Sequence, residues 1–146
     1  MANVNDYRAL FWESDGIYNE VMEKSGFSSS EFMSLYCIAN GTNTQSNISK
    51  KLYIPKQTIN SSIKKLISLG YVAMSSIDGN NKTKSLYLTP LGQEVYKQKI
   101  AVIDDIEDEL WRELDEKEAD TLFALTQKYN RLFKKYAEKH FSARQN

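Results

Sequence analysis

The fold is decided by residues 44–92, whose sequence is TQSNISKKLYIPKQTINSSIKKLISLGYVAMSSIDGNNKTKSLYLTPLG. Within this stretch, Thr44–Leu52 and Pro55–Leu69 each place apolar residues three and four positions apart, which predicts two short amphipathic helices. A tight turn at Tyr53 and Ile54 separates them. Proline is tolerated in the first turn of a helix, and the glycine that follows the second segment is a natural stop. Two short helices joined in this way form a helix-turn-helix pattern.

The residues that follow change to a strand pattern. Tyr71–Ile77 and Lys84–Leu88 are short runs with strand character, and Asp78–Asn81 between them is a strong turn sequence. A hairpin directly after a helix-turn-helix is a wing. We therefore expect a winged helix-turn-helix.

Helical patterns flank this region on both sides. Before it, Val4–Met22 has helical apolar spacing, and Ser28 with Glu31 three residues later is a capping box that starts a second helix. After it, a long helix is predicted over 90–111, and a last helix begins with a second capping box at Asp115. The predicted class is therefore mainly α, with a two-stranded wing and the element order ααααββαα.

The last helix carries an apolar seam with heptad-like spacing, which is typical of a helix that packs against another helix. The seam consists of Leu122, Leu125, Tyr129, Leu132 and Tyr136. Because so apolar a face is unsuited to contact with water, we interpret it as a dimerisation surface.

The chain has no net charge, with 19 basic and 19 acidic residues, but its charges are segregated. Residues 40–90 hold seven lysines against one acidic residue, a net charge of +6, whereas residues 1–39 carry −4 and residues 93–146 carry −2. A positive segment of this kind is the usual electrostatic footprint of a surface that binds nucleic acid. From charge alone, a solvated lysine-bearing face is the alternative.

The second helix of the helix-turn-helix presents polar side chains that suit DNA. Glutamine and asparagine pair with adenine edges, and serine and lysine reach base edges or phosphates. The predicted base-edge residues are Lys56, Gln57, Asn60 and Ser61. The predicted phosphate contacts are Thr58, Lys64, Lys65, Lys82 and Lys84. The alternative is an ordinary amphipathic surface helix.

The run PKQTINSSIKKLISLGYV from Pro55, a turn beginning at Asp78 and the motif LTPLG ending at Gly92 resemble the multiple-antibiotic-resistance-regulator (MarR) family. The flanking helices match the family's layout, so the resemblance covers essentially the whole chain. It implies a homodimer that binds double-stranded DNA at a pseudo-palindromic operator, usually as a repressor, and often with relief by a small-molecule effector or an oxidant.

The resemblance also implies a domain organisation. We expect a single MarR-like domain over 1–146, with a winged helix-turn-helix DNA-binding lobe at 40–90. The helical dimerisation region is expected at 1–26 and 90–146.

Two positions depart from the family's pattern. Members commonly carry an arginine two residues after the wing aspartate, where this chain has Asn80, and often a basic residue where Ser61 stands. These departures favour an alternative function, a winged-helix protein-interaction module that does not bind DNA. The positive segment disfavours that alternative, because Lys82 and Lys84 keep the wing basic.

The sequence contains no recognisable catalytic motif, such as a nucleophile elbow or a P-loop, and His140 has no second histidine with which to bind zinc. We therefore expect no enzyme activity, metal or cofactor. No apolar run approaches the roughly 20 residues of a membrane span, and the N-terminal sequence lacks a signal peptide's apolar core. With a single cysteine, Cys37, the expected location is the reducing cytoplasm.

Two further features have competing interpretations. Cys37 is either an oxidant sensor or a core residue, and the core is favoured because free cysteine is among the most buried residue types. An aromatic set in the first two helices either lines an effector cavity or forms ordinary core and interface, with the second favoured. The set is Tyr7, Phe11, Tyr18, Phe32 and Tyr36.

Overall fold

A computed structural model describes residues 1–77 and 80–144, and for Ile77 and residues 80–83 it describes the backbone alone. The fold is mainly α-helical with a two-stranded antiparallel sheet, which confirms the predicted class. The elements in chain order are α1 (Val4–Lys24), α2 (Ser29–Ala39), α3 (Gln45–Leu52), α4 (Lys56–Ser68), β1 (Val72–Ile77), β2 (Asn80–Leu88), α5 (Pro90–Val95), a π-helical turn (Tyr96–Ile100), α6 (Val102–Glu113) and α7 (Glu116–Arg144).

The chain divides into two compact units, Met1–Ile103 and Asp104–Asn146. The first contains the helix-turn-helix, the wing and the hydrophobic core, and the second contains α7 and most of α6. The core joins α2, α3, α4, β2 and the π-helical turn. Its largest fully buried side chains are Phe32, Leu35, Ile48, Ile59, Ile63, Leu66, Leu86 and Ile100.

Local capping signals set the helix starts as predicted. The Ser28 side chain accepts from the Glu31 N–H, and the Glu31 carboxylate accepts from the Ser28 N–H, so the predicted capping box of α2 is confirmed. At the start of α7, Asp115 and Glu118 exchange the same pair of hydrogen bonds, at 3.0 and 2.8 Å. Thr44 caps α3 by accepting from the Asn47 N–H.

The hairpin is longer than predicted. β2 begins at Asn80 rather than at Lys84, and Ile77 pairs with Asn80, so the expected four-residue turn is wrong in extent. The remaining turn positions, Asp78 and Gly79, lie outside the described residues. Asparagine is depleted in strands, and the sequence therefore suggested turn; pairing with β1 overrides that preference. The ladder is irregular between Ser76 and Ile77.

The helix predicted over 90–111 is interrupted. A π-helical turn at Tyr96–Ile100 separates α5 from α6, and the Ala101 N–H donates to the Tyr96 carbonyl five residues back, at 2.9 Å. The turn leaves Ile100 fully buried. Hydrophobic spacing alone did not reveal this break, because one extra residue per turn shifts an apolar stripe without ending it.

Candidate DNA interface

Helix α4 buries one face and exposes the other. Ile59, Ile63 and Leu66 are fully buried, so most of the polar side chains lie on the outward face. Of the predicted DNA-contacting residues on this helix, Asn60 is half-buried. The exposed ones are Lys56, Gln57, Thr58, Ser61, Lys64 and Lys65. The Ser61 hydroxyl donates to the Gln57 carbonyl at 3.1 Å, which keeps it close to its own helix.

The turn before α4 is short and fixed by hydrogen bonds. Helix α3 ends at Leu52, and Tyr53 caps it in the left-handed conformation with φ 55°. The Ile54 N–H donates to the Ser49 carbonyl at 3.2 Å, and the Ser49 hydroxyl donates back to the Ile54 carbonyl at 2.6 Å. Pro55 then precedes α4, and its carbonyl accepts from the N–H of Thr58.

Besides the apolar core, two polar side-chain contacts described in the structure join α4 to α2. The hydroxyls of Ser30 and Ser62 lie 2.7 Å apart. The Lys65 ammonium lies 2.8 Å from a carboxylate oxygen of Glu31, whose side chain is only 8% exposed. Burial acts to raise the pKa of Glu31, but the ion pair with Lys65 and the hydrogen bonds from Ser28 outweigh it, so that pKa lies below its usual value. Lys65 therefore has a structural partner within the protein.

A groove brings together residues that are distant in sequence. It has a volume of about 380 Å³ and lies among the start of α3, the start of α4 and the wing strands. Its lining residues are Thr44, Gln45, Ser46, Lys56, Met74, Lys84 and Leu86. Two predicted DNA contacts, Lys56 on α4 and Lys84 on β2, thus meet at one groove beside the first turn of α3, where backbone N–H groups favour an anion.

The α3 residues of this groove were missed by the sequence reasoning. Gln45 and Ser46 carry no charge and follow the cap residue Thr44, so nothing in their type marks them as contacts. The signal that could have identified them is their position, because the start of the first helix of a helix-turn-helix lies near the DNA backbone.

The wing is fixed to the helix-turn-helix through β2. The Leu86 N–H donates to the carbonyl of Asn43, in the segment before α3, at 2.7 Å, and the Leu86 side chain is buried. Lys84 pairs with Ser76 across the ladder and its side chain is exposed. The side chain of Lys82, another predicted phosphate contact, lies outside the described residues.

The LTPLG motif joins the end of the wing to α5. Thr89 caps α5 by accepting from the Gly92 N–H at 3.0 Å, and its hydroxyl donates to the Gly70 carbonyl at 2.5 Å. Gly92 lies against the backbone of Tyr71, because a Cβ built on Gly92 would stand 1.9 Å from the Tyr71 carbonyl oxygen. The motif therefore sets how closely α5 approaches the start of β1.

The predicted dimerisation seam on α7 is largely exposed in the single chain. Leu132 is half-buried. The exposed members are Leu122, Leu125, Tyr129 and Tyr136, at 41–59%. The same helix also exposes Phe123, Phe133 and Phe141. The α7 side chains thus offer an apolar surface, and its use as a dimer contact stays a prediction.

The other predicted residues are distributed as follows. Cys37 is 1% exposed, and burial raises the pKa of its thiol, so its place is in the core. Phe32 is also a core residue, and Tyr36 is half-buried. The three α1 aromatics of the set, Tyr7, Phe11 and Tyr18, are 42–61% exposed, so the five do not share one environment.

The described residues show neither a metal-binding group nor a helix suited to crossing a membrane. Across the part of the chain that the structure describes, His, Cys, Asp and Glu side chains form no group that could hold a metal ion. Within the described ranges, no helix combines the length and the apolar character that crossing a membrane requires.

The chain is similar to known winged helix-turn-helix proteins in both a family model and solved structures. A family model for winged helix-turn-helix DNA-binding matches residues 38–73. A MarR family regulator from Neisseria meningitidis is 18% identical with a TM-score of 0.83, and the match covers 96% of this chain and 99% of that one. The S. aureus MepR–DNA complex is 20% identical with a TM-score of 0.71, covering 86% and 96%.

A MarR/EmrR family transcriptional regulator from Acinetobacter sp. ADP1 is 25% identical with a TM-score of 0.66, covering 92% of this chain and 99% of that one. No curated protein matches the sequence. These three structural matches span 96–99% of each relative, so they extend beyond the helix-turn-helix.

Proposed function

The chain is a winged helix-turn-helix protein with the fold of the MarR-family regulators, and from this premise we propose that it is a homodimeric, sequence-specific DNA-binding repressor. It would act in the cytoplasm on a pseudo-palindromic operator. Helix α4 would lie in the major groove, with Lys56, Gln57, Asn60 and Ser61 at base edges.

The observation that carries this proposal is the groove where Lys56 and Lys84 meet at the start of α3. Two ammonium groups from different elements and the N–H groups of a helix's first turn are the chemistry that holds a phosphate. A DNA strand that passed through this groove would place α4 beside the adjacent major groove. Lys64 lies two turns along α4 from Gln57 and would hold the phosphates farther along.

Dimerisation is proposed because of the exposed apolar surfaces at both ends of the chain. Besides the α7 seam, α1 exposes Leu10, Phe11 and Trp12 at 60–65%. Apolar side chains in this number are typical of a protein contact. A two-fold dimer would present two α4 helices to half-sites one duplex turn apart, about 34 Å.

Release of the DNA is proposed to follow binding of a small ligand. Support for an effector comes from the family resemblance. An oxidant acting at Cys37 is disfavoured, because a buried thiol with a raised pKa holds little of the reactive thiolate.

The salt dependence of DNA binding and two substitutions test the proposal. If six to eight lysine–phosphate contacts form per dimer, the slope of log affinity against log salt should be about −5 to −7. Gln57→Ala should cost roughly 1–3 kcal/mol at the preferred site and relax discrimination among operator variants. Lys64→Ala should weaken all sequences about equally and make the slope shallower, because it removes one charge per subunit.

A library of random duplexes, from which bound sequences are selected, supplies the preferred site for these titrations. A nearly flat salt dependence, or no retention of any duplex at low salt, would favour the protein-interaction module instead. If Gln57→Ala reduces binding to selected and random DNA by the same factor, the assignment of base-edge and phosphate contacts is wrong. Lys65 is a poor choice for this test because it also pairs with Glu31.

A further inference from the structure

Tyr53 combines an unfavourable backbone conformation with an almost fully exposed ring. Among the described residues it is the one non-glycine residue with a positive φ, at 55°, and its side chain is 94% exposed. Left-handed geometry disfavours residues with a Cβ, and aromatic residues gain nothing there that offsets the cost. Within the single chain, the ring buries almost no apolar surface.

The surrounding turn imposes this conformation on Tyr53. The Ser49 carbonyl accepts from the N–H groups of both Tyr53 and Ile54, and the Ser49 hydroxyl donates to the Ile54 carbonyl. Ile54 is half-buried and packs against the core. The backbone on both sides of Tyr53 is therefore held, so the ring is fixed to a rigid turn although it touches little of the protein.

The position of Tyr53 is next to the proposed DNA-reading helix. It lies three residues before Lys56, so their Cα atoms are at most about 11 Å apart. Lysines stand on both sides, at Lys51 and Lys56, and the nearest acidic residue in sequence is more than 20 positions away. A turn that leads into a helix lying in the major groove reaches the rim of that groove, where the sugar-phosphate backbone runs.

We propose that Tyr53 contacts the DNA backbone, with its hydroxyl donating to a phosphate oxygen and its ring packing on the adjoining deoxyribose. This inference rests on the proposed DNA-binding function. Tyrosine is among the side chains that donate to phosphates, and its donor here is presented by a turn already fixed before binding. Because the side chain is neutral, the contact adds affinity for any sequence without releasing counterions.

The test measures the unfolding temperature of the free protein and its affinity for DNA, and the inference predicts that only the affinity falls. In Tyr53→Gly the left-handed conformation is no longer unfavourable, so the free protein should unfold at the same temperature or about 2–4 °C higher. Its affinity for a 30-base-pair duplex of random sequence at low salt should fall about 10-fold, because the phosphate contact is lost. The salt slope should equal that of the wild type.

Tyr53→Phe separates the hydroxyl from the ring. It keeps the backbone and the apolar contact, and it should weaken binding of the same duplex about 5- to 10-fold, because one hydrogen bond is lost per subunit and therefore two per dimer. Lys64→Ala is the matched control, because it should also weaken binding but with a shallower salt slope.

The outcomes distinguish this inference from the proposed function. If both Tyr53 variants bind like the wild type while Lys64→Ala binds more weakly, Tyr53 is not a DNA contact and the proposed function stands. If the wild type does not bind the duplex at all, the proposed function fails. If Tyr53→Gly unfolds several degrees lower, the ring has a role in the fold and the inference is overturned.

Discussion

At Gly92 the backbone leaves no room for a side chain. The Tyr71 carbonyl oxygen would lie 1.9 Å from an added Cβ, and this atom belongs to the backbone, so it cannot rotate away. By contrast Gly16, inside α1, has nothing within 4 Å of an added Cβ. The two glycines therefore provide a matched pair of substitutions.

We expect Gly92→Ala to destabilise the protein by about 1–3 kcal/mol, because α5 must move away from Tyr71. Gly16→Ala should instead stabilise it by about 0.5–1 kcal/mol, since alanine is the better helix former at an open position. Thermal or urea unfolding of the two variants measures both effects. Equal stability of Gly92→Ala and wild type would mean that α5 does not approach Tyr71 so closely.

Single residues also show which features the sequence does not predict, namely contacts between residues that are distant in the chain. The LTPLG motif is recognisable from the sequence alone. The reason for its glycine is the close approach of the Tyr71 backbone, and Tyr71 lies 21 positions earlier. Lys64 and Lys65 look alike in sequence, yet only Lys65 is paired in the described structure with Glu31, 34 positions away. Residue types identified the candidate surface, whereas the division of roles within it depends on tertiary contacts.

At the scale of elements, α2 and α4 share apolar core packing, and the ion pair that also joins them depends on ionisation of Glu31. The folded-state pKa of Glu31 is lowered from its ordinary value of 4.5. A lowered carboxyl pKa gives a stabilisation that is fully present above the unfolded-state pKa and is lost as the pH falls through the folded-state pKa. The pH window in which the ion pair weakens therefore lies below 4.5.

We expect Glu31→Gln to lower the free energy of unfolding by about 1–2 kcal/mol at pH 7, because it removes a charge-assisted hydrogen bond at a buried position. The difference from wild type should shrink as the pH falls below 4.5, where the wild-type carboxylate also becomes neutral. Unfolding titrations at several pH values measure it. Glu20→Gln, which breaks the exposed pair with Lys24, is the control and should change little at any pH.

The elements differ in how well the sequence predicted them. Helix starts followed from capping boxes, such as Asp115 with Glu118, because all the atoms involved lie within one turn. The start of β2 and the π-helical turn did not follow. Both depend on pairing or packing with another element: β1 in the case of Asn80, and the core in the case of Ile100.

For the whole molecule, the proposed dimer predicts that charges in the α7 seam prevent association. Leu125→Asp combined with Leu132→Asp should give monomers or insoluble protein, because two carboxylates would be buried in an apolar contact. Gln127→Asp combined with Lys134→Asp introduces the same number of carboxylates on the opposite side of the helix. That control should remain dimeric. Sedimentation measures both, and a soluble seam variant that still sediments as a dimer would place the interface elsewhere.

Because Cys37 is buried, the rate at which its thiol is labelled would measure how often the core opens. Cys37 is the single thiol in the sequence and is 1% exposed, so a thiol-modifying reagent reaches sulfur only in molecules whose core has transiently separated. The rate of labelling then depends on how often the native core opens, and not on the reactivity of a thiol at the surface. Since α2 carries both Cys37 and Glu31, which pairs with Lys65 on α4, such labelling would report how often the packing beneath the proposed DNA-reading helix opens.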